Sequence, residues 1–176
     1  GKFDEPAVFL LKILQKPLFL SHQVIDLIEQ AKVPEIFSDA CEEEARKFGN
    51  KVLAKDTKKR LDLTKLALCT IDGKTAKDFD DAVFAQKNKR GYEIFVAIAD
   101  VSHYVKPNSA LDLEAFSRGT SIYYPGHCIP MLPETLSNGL CSLKPKVLRL
   151  VLVASFQLSL KGVISKINIA RAVIKS

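Results

Sequence analysis

No run in this 176-residue sequence is apolar for long enough to cross a bilayer as a helix. The most apolar early stretch, Ala7 to Leu20, is broken by Lys12, Lys16 and Pro17, whereas a span needs about 20 apolar residues in succession. A secretory signal is missing as well: Gly-Lys-Phe-Asp-Glu-Pro has no charged n-region leading into a clean apolar h-region. The absence of an initiating Met points to a chain cut from something longer. Cys41, Cys69, Cys128 and Cys141 form no Cys-x-x-Cys pair, so the paired ligands of a structural zinc site are lacking. Thiols scattered in this way read as inert residues of a reducing compartment, and the expected location is the cytoplasm.

One absence concerns charge. After Glu134 there is no acidic residue, while Lys144, Lys146, Arg149, Lys161, Lys166, Arg171 and Lys175 all follow it. The net charge is +6, and the excess lies late: residues 1–60 carry 11 basic and 10 acidic side chains, residues 61–176 carry 15 and 10. A one-signed segment repels itself unless a polyanion such as nucleic acid, or another part of the protein, neutralises it. Lysines that guard an exposed edge strand against aggregation produce the same pattern. With 47% hydrophobic and 26% charged residues, the chain falls among globular proteins, long enough for one domain with a buried core.

The pattern along the chain is α+β. Residues 1–20 have no clean period. Ser21 can cap a helix through Ala31, and Ser38 a helix from Asp39 to Phe48 that Gly49 stops. Lys51 to Arg60 is polar and lysine-rich, and reads as a linker. Leu66 to Ile71 is strand-like, with a turn at Asp72-Gly73. Ala82–Lys87 and Tyr92–Ala99 flank Asn88-Lys-Arg-Gly91 as a hairpin, whose second strand is apolar enough to be central. Ser109 to Arg118 is a short helix closed by Gly119, and a helical turn is expected around Glu134 to Asn138. Leu150–Leu160 and a partner strand through Ile174 complete a mixed or antiparallel sheet with flanking helices.

The densest chemistry lies in Thr70-Ile-Asp72-Gly-Lys-Thr-Ala-Lys-Asp78-Phe-Asp80-Asp81-Ala82. Crowded carboxylates repel and cost stability unless a cation fills the gap. Four hard oxygen donors between two strands suit Mg²⁺, which takes a few carboxylates together with water and phosphate oxygens. The spacing does not match a Ca²⁺-binding EF-hand loop, and no His or Cys is present for zinc. A solvated acidic turn remains the plainer alternative. Carboxylates holding Mg²⁺ within a basic chain are what phosphodiester hydrolysis requires.

Five blocks then occur in order: Thr70-Ile-Asp-Gly with Asp78-Phe-Asp-Asp-Ala82; Val96-Ala-Ile-Ala-Asp-Val-Ser-His-Tyr-Val105; Arg118-Gly-Thr-Ser-Ile-Tyr-Tyr-Pro125; Ile129-Pro-Met-Leu-Pro133; and Leu136-Ser-Asn-Gly-Leu-Cys-Ser-Leu143. Together they resemble the ribonuclease II/ribonuclease R family, nearer to its ribonuclease R branch, over the first part of the catalytic RNB domain. The resemblance covers residues 60–176. Residues 1–59 resemble, loosely, the tail of a preceding cold-shock (OB) domain with connecting helices.

The resemblance implies a partial RNB fold and a processive 3′→5′ exoribonuclease that hydrolyses single-stranded RNA to 5′-nucleoside monophosphates with Mg²⁺. It implies that Asp72, Asp78, Asp80 and Asp81 form the metal site, with Asp80 the residue on which catalysis most depends. It implies that Tyr123 packs on the 3′-terminal nucleotide. An aromatic face is a sequence-tolerant clamp, worth about 1–3 kcal/mol per base. Family members continue past this segment with further aromatic residues, an arginine, a glutamate and an S1 domain. Arg118 and Arg149 are candidate phosphate contacts, although such arginines are often merely solvated. His103 reads first as structural, Tyr124 as packing, and His127-Cys128 lacks an acid that would make a nucleophile pair. The competing function is a catalytically silent RNA-binding or structural module that keeps the fold.

Overall fold

In the computed structural model the described residues are Ile28, Gln30, 34–124 and 127–176. Ile28 and Gln30 are helical; the rest of the helix expected from Ser21 to Ala31, and residues 1–20, lie outside the described residues. Helix α1 (Asp39–Arg46) begins where the Ser38 hydroxyl accepts a hydrogen bond from the Cys41 amide, with Asp39 and Glu42 at its positive end. Its buried residues are Cys41 and Ala45.

The segment read as a linker is instead built into the domain. Residues Ala54–Thr57 form a short helix, α2, and three residues later Arg60 turns inward. Its guanidinium pairs with Asp100 at 2.6 Å, the side chains being 5% and 0% exposed, and also donates to Asp56 O at 3.1 Å and Val151 O at 3.4 Å. A polar, lysine-rich composition hides one arginine whose partner lies far along the chain.

The strands are β1 (Leu61–Asp62), β2 (Asp81–Asn88), β3 (Gly91–Ala99), β4 (Ile122–Tyr124), β5 (His127–Ile129), β6 (Leu148–Leu158) and β7 (Ile164–Lys175). Five form a sheet in the order β1-β7-β6-β3-β2, parallel only between β1 and β7, and β4 pairs with β5 separately. The expected hairpin is present, with Ala82 opposite Ala97 and Phe84 opposite Phe95. β3 lies between β2 and β6, which accounts for its apolar sequence. Gly91 has φ 126°, and a Cβ there would stand 2.1 Å from the Leu158 carbonyl oxygen, so the turn requires glycine. Leu66 to Ile71 is not a strand: it makes one bridge, Cys69 to Val83, and finds no partner for a ladder.

One face of the sheet presents the small buried residues Ala82, Ala97, Val151, Val153 and Ala172. Against them pack Leu111, Leu136, Leu140 and Leu143, all fully or almost fully buried. Leu111 comes from helix α3 (Ala110–Arg118), which Ser109 caps and Gly119 ends at φ 74°. Glu44 of α1 accepts from the Leu111 amide at 2.9 Å, tying the two helices together. Leu136–Leu140 is helical with a kink at Gly139 (φ −108°, ψ −105°), where one helical turn was expected.

Candidate active site

The acidic segment spans the gap between the Cys69–Val83 bridge and β2. Its last residues are fixed by backbone bonds. Phe79 N–H donates to Ser142 Oγ at 3.1 Å, Leu143 N–H to Phe79 O at 2.8 Å, and Ala99 N–H to Asp80 O at 3.0 Å. The chain thereby enters β2 with Asp81 opposite Ile98 and Ala82 buried. Alternation along the chain then sends Asp80 and Asp81 to different sides.

Asp78 and Asp80 line one cavity of about 760 Å³, together with Tyr123. Asp72 and Asp81 are not among its lining residues, yet their charge reaches it. The Asp80 carboxyl is raised above its usual value of 3.8, first by partial burial and then by the negative charges of Asp78, Asp81 and Asp72. Burial is the larger cause, but the added repulsion of three nearby carboxylates is of the sign that a cation would relieve.

Among the described residues, no three His, Cys, Asp or Glu side chains already stand as a metal-ligating group. Asp78 and Asp80 on one cavity wall are hard oxygen donors of the kind a divalent cation takes together with water and phosphate oxygens, whereas Asp72 and Asp81 are exposed and line neither this cavity nor its neighbour.

Tyr123 sits on β4 opposite Cys128 and is 63% exposed. Its hydroxyl donates to Asp78 Oδ2 at 2.5 Å. That bond, followed by partial burial, pushes the phenol up to about 12, so Tyr123 remains a neutral donor at physiological pH. A second cavity of about 610 Å³ lies beside the first, and Asp78, Tyr123 and Ser137 line both. Tyr124 lines only the second. Lys77 does too; it is a cation next to the carboxylates that the sequence reading passed over, although its place between Asp72 and Asp80 was the available signal.

Two candidates for phosphate contact are committed elsewhere. The Arg118 side chain is 3% exposed, stacks on the Phe37 ring at 3.7 Å, pairs with Glu114 at 3.1 Å and donates to Pro34 O, Ile36 O and Pro130 O. It ties the 34–36 segment and the Pro130 loop to helix α3 and is not among the residues lining either of the two cavities. Arg149 is buried, with Nε donating to Ser142 O at 2.6 Å and a terminal nitrogen to Leu148 O at 2.9 Å. Its guanidinium is a core strut. The other late cations, Lys144, Lys146, Lys161, Lys166, Arg171 and Lys175, are on the surface. His103 lies between Asp56 at 3.6 Å and Arg60 at 3.3 Å, edge-on to Tyr104, in the structural role read for it. The Cys128 thiol is raised, chiefly by burial, which makes it a poor nucleophile.

Comparison with known proteins shows the family. Ribonuclease R of Vibrio parahaemolyticus is 47% identical over 150 residues, covering 85% of this chain and 18% of its own length. Ribonuclease R of Escherichia coli is 47% identical over 146 residues, covering 82% of this chain and again 18% of its own. The chain thus spans less than a fifth of these curated relatives. Among solved structures, the apo form of Mycoplasma genitalium RNase R superposes with a TM-score of 0.81 at 38% identity, over 88% of this chain and 24% of that one. The same protein has been solved in complex with ribose-methylated single-stranded RNA. The RNB-domain family model matches residues 60–176, the stretch that holds the sheet, the four aspartates and Tyr123, and the chain is a member of the RNB family.

Proposed function

We propose that this chain is the amino-terminal part of the catalytic domain of a 3′→5′ exoribonuclease, which hydrolyses single-stranded RNA to 5′-nucleoside monophosphates. The observation that carries the reading is the meeting of Asp78, Asp80 and Tyr123 on one cavity, with the Tyr123 hydroxyl bonded to Asp78. In this reading Asp72, Asp78, Asp80 and Asp81 hold Mg²⁺, and a divalent ion there supplies charge stabilisation at the scissile phosphate and an activated water. The protein's own groups do the rest. Tyr123 offers an exposed ring for the terminal base and fixes Asp78 by its hydroxyl. Asp80, whose carboxyl is raised by burial and by the charges of the other three, is in this reading the carboxylate on which hydrolysis depends most. The surface lysines after Glu134 bear on the RNA backbone through a salt-dependent attraction.

By sequence resemblance alone, residues 1–59 are assigned to the end of a preceding OB-type domain and its connecting helices, and the reducing cytoplasm suits four free thiols. Cys141 and Cys41 are buried, and their thiols are pushed up to about 12 and about 11, chiefly by burial. The catalytically silent alternative has no physical reason to keep a repulsive cluster around Asp80. Asp80→Asn in the full-length enzyme keeps the shape and removes the charge. It should abolish hydrolysis of a labelled oligoribonucleotide while leaving its binding largely intact. Undiminished degradation would overturn the carboxylate assignment and favour the silent module.

A further inference from the structure

The motif Leu136-Ser-Asn-Gly-Leu-Cys-Ser-Leu143 contributes no carboxylate, cation or aromatic ring to the site, yet its last two residues hold the backbone of the acidic loop by three hydrogen bonds. Ser142 is wholly buried. Its hydroxyl donates to Lys77 O at 2.7 Å and accepts from Phe79 N–H at 3.1 Å. One hydroxyl can donate once and accept twice, and here both functions are spent on the two residues that bracket Asp78. Leu143 N–H adds a bond to Phe79 O at 2.8 Å, on the peptide that leads into Asp80.

Ser142 is itself held from two sides. Its carbonyl accepts from the buried Arg149 at 2.6 Å, and its amide donates to Gly139 O at 3.2 Å, at the kink of the Leu136–Leu140 turn. A rigid strut thus runs from the sheet through Arg149 and Ser142 to the backbone on both sides of Asp78. Left to their charges, the carboxylates would move apart; tied to Ser142, Asp78 and Asp80 stay on one cavity wall.

We propose that Ser142 is a positioning residue of the carboxylate site, setting the spacing of Asp78 and Asp80 through its bonds to Lys77 and Phe79. This rests on the reading of those aspartates as metal-holding. It adds a residue that touches neither metal nor RNA and whose loss is felt as weakened grip on the cation.

The test compares Ser142→Ala, Ser142→Cys and a core control, Val153→Ala, in the full-length enzyme. Two quantities are measured: the Mg²⁺ dependence of hydrolysis of a labelled single-stranded RNA, and Mg²⁺ binding without RNA by calorimetry. Loss of a group that orients a metal ligand typically costs about 10–100-fold in affinity or activity. Ser142→Ala should therefore raise the half-saturating Mg²⁺ by about that factor in both measurements, leave KM for RNA nearly unchanged, and recover rate at high Mg²⁺. Val153→Ala should lower Tm and leave the Mg²⁺ titrations at wild-type values, because a general loosening of the core does not act on the 77–79 backbone. A wild-type Mg²⁺ titration of Ser142→Ala overturns the proposal. If the alanine variant does not fold, Ser142→Cys, with similar volume and a weaker donor, carries the same comparison: a smaller shift in the same direction supports the role, and none overturns it. Asp80→Asn separates the two readings. If it is inactive while Ser142→Ala titrates as wild type, only the positioning role fails; if it is fully active, the carboxylate site itself fails.

Discussion

Arg60 and Asp100 stand 40 positions apart in the chain and meet at 2.6 Å in the interior. Asp100 follows β3 directly and its amide donates to Leu150 O at 2.9 Å, so the pair clamps the segment before β1 onto the middle of the sheet. The Ser102 hydroxyl bonds the other carboxylate oxygen at 2.7 Å, and Arg171 approaches to 3.7 Å. Both oxygens of a fully buried carboxylate are therefore satisfied.

Removing Arg60 would strand that charge. Breaking one side of a buried ion pair costs about 3–5 kcal/mol, and Arg60→Met should lower the urea-unfolding free energy by about that much at neutral pH. Asp100→Asn combined with Arg60→Met should lose less than the sum of the single variants. The pair also sets an acid limit. Burial alone would raise the Asp100 carboxyl, but the Ser102 hydroxyl, Arg60 and Arg171 outweigh it and hold the group below its usual 3.8. A carboxyl depressed in the folded state contributes stability that is complete above its unfolded value and is lost as pH falls through the folded one. Unfolding free energy followed from about pH 5 to about pH 2 should fall along this limb in the wild type and less steeply in Asp100→Asn. Parallel curves would show that another group sets the acid limit.

What was legible in the sequence was local. Ser38, Ser109, Gly91 and Gly119 act on neighbours within a few residues, so the helix starts, the hairpin turn and the helix end could be read directly. The alternation after Leu150 likewise placed β6. Missed features depend on distant partners. Arg60 looked like linker because Asp100 supplies its meaning. Arg118 and Arg149 looked like surface cations because charge reads the same on a surface as in a core; only the carbonyls of Pro34, Ile36, Pro130 and Ser142 show where they go. The four aspartates were visible as a cluster. That Asp78 and Asp80, and not Asp72 and Asp81, line the cavity depends on backbone bonds to Ser142 and Leu143 more than 60 residues away.

Tyr123 combines two roles that substitution can separate. Tyr123→Ala removes the exposed ring at the junction of the two cavities, and with it about 1–3 kcal/mol of stacking on a base. In the full-length enzyme the products of a labelled oligoribonucleotide should then stall at an altered length. Tyr123→Phe keeps the ring and removes only the bond to Asp78, so its end product should match the wild type while its rate falls. The sequencing-gel ladder and the initial rate are read from one time course. An unchanged ladder for the alanine variant would count against the stacking role.

The 176-residue chain, purified alone, should show little or no processive exoribonuclease activity. The match covers only 18% of the length of the curated relatives, and the family resemblance assigns further aromatic residues and an arginine to other segments of the family's catalytic domain. Loss of one group that stabilises developing charge typically costs about 10²–10³ in rate, and processivity needs RNA enclosed over several nucleotides. The sheet supplies a second reason. Ile98 and Ile169 are 54% and 71% exposed. Ile98 lies opposite Leu152, and Ile169 opposite Ala154 two residues further along β6, so these side chains share one face. An uncovered apolar face of this kind favours self-association, and sedimentation velocity should show species larger than the monomer, growing with concentration. Weak RNA binding through the lysines after Glu134 should fall steeply with salt. Time courses on 3′- and 5′-labelled single-stranded RNA, with Mg²⁺ and with EDTA, decide the matter. Conversion to mononucleotides without intermediates, at a rate near that of a full-length ribonuclease R, would show that these residues alone form a complete catalyst.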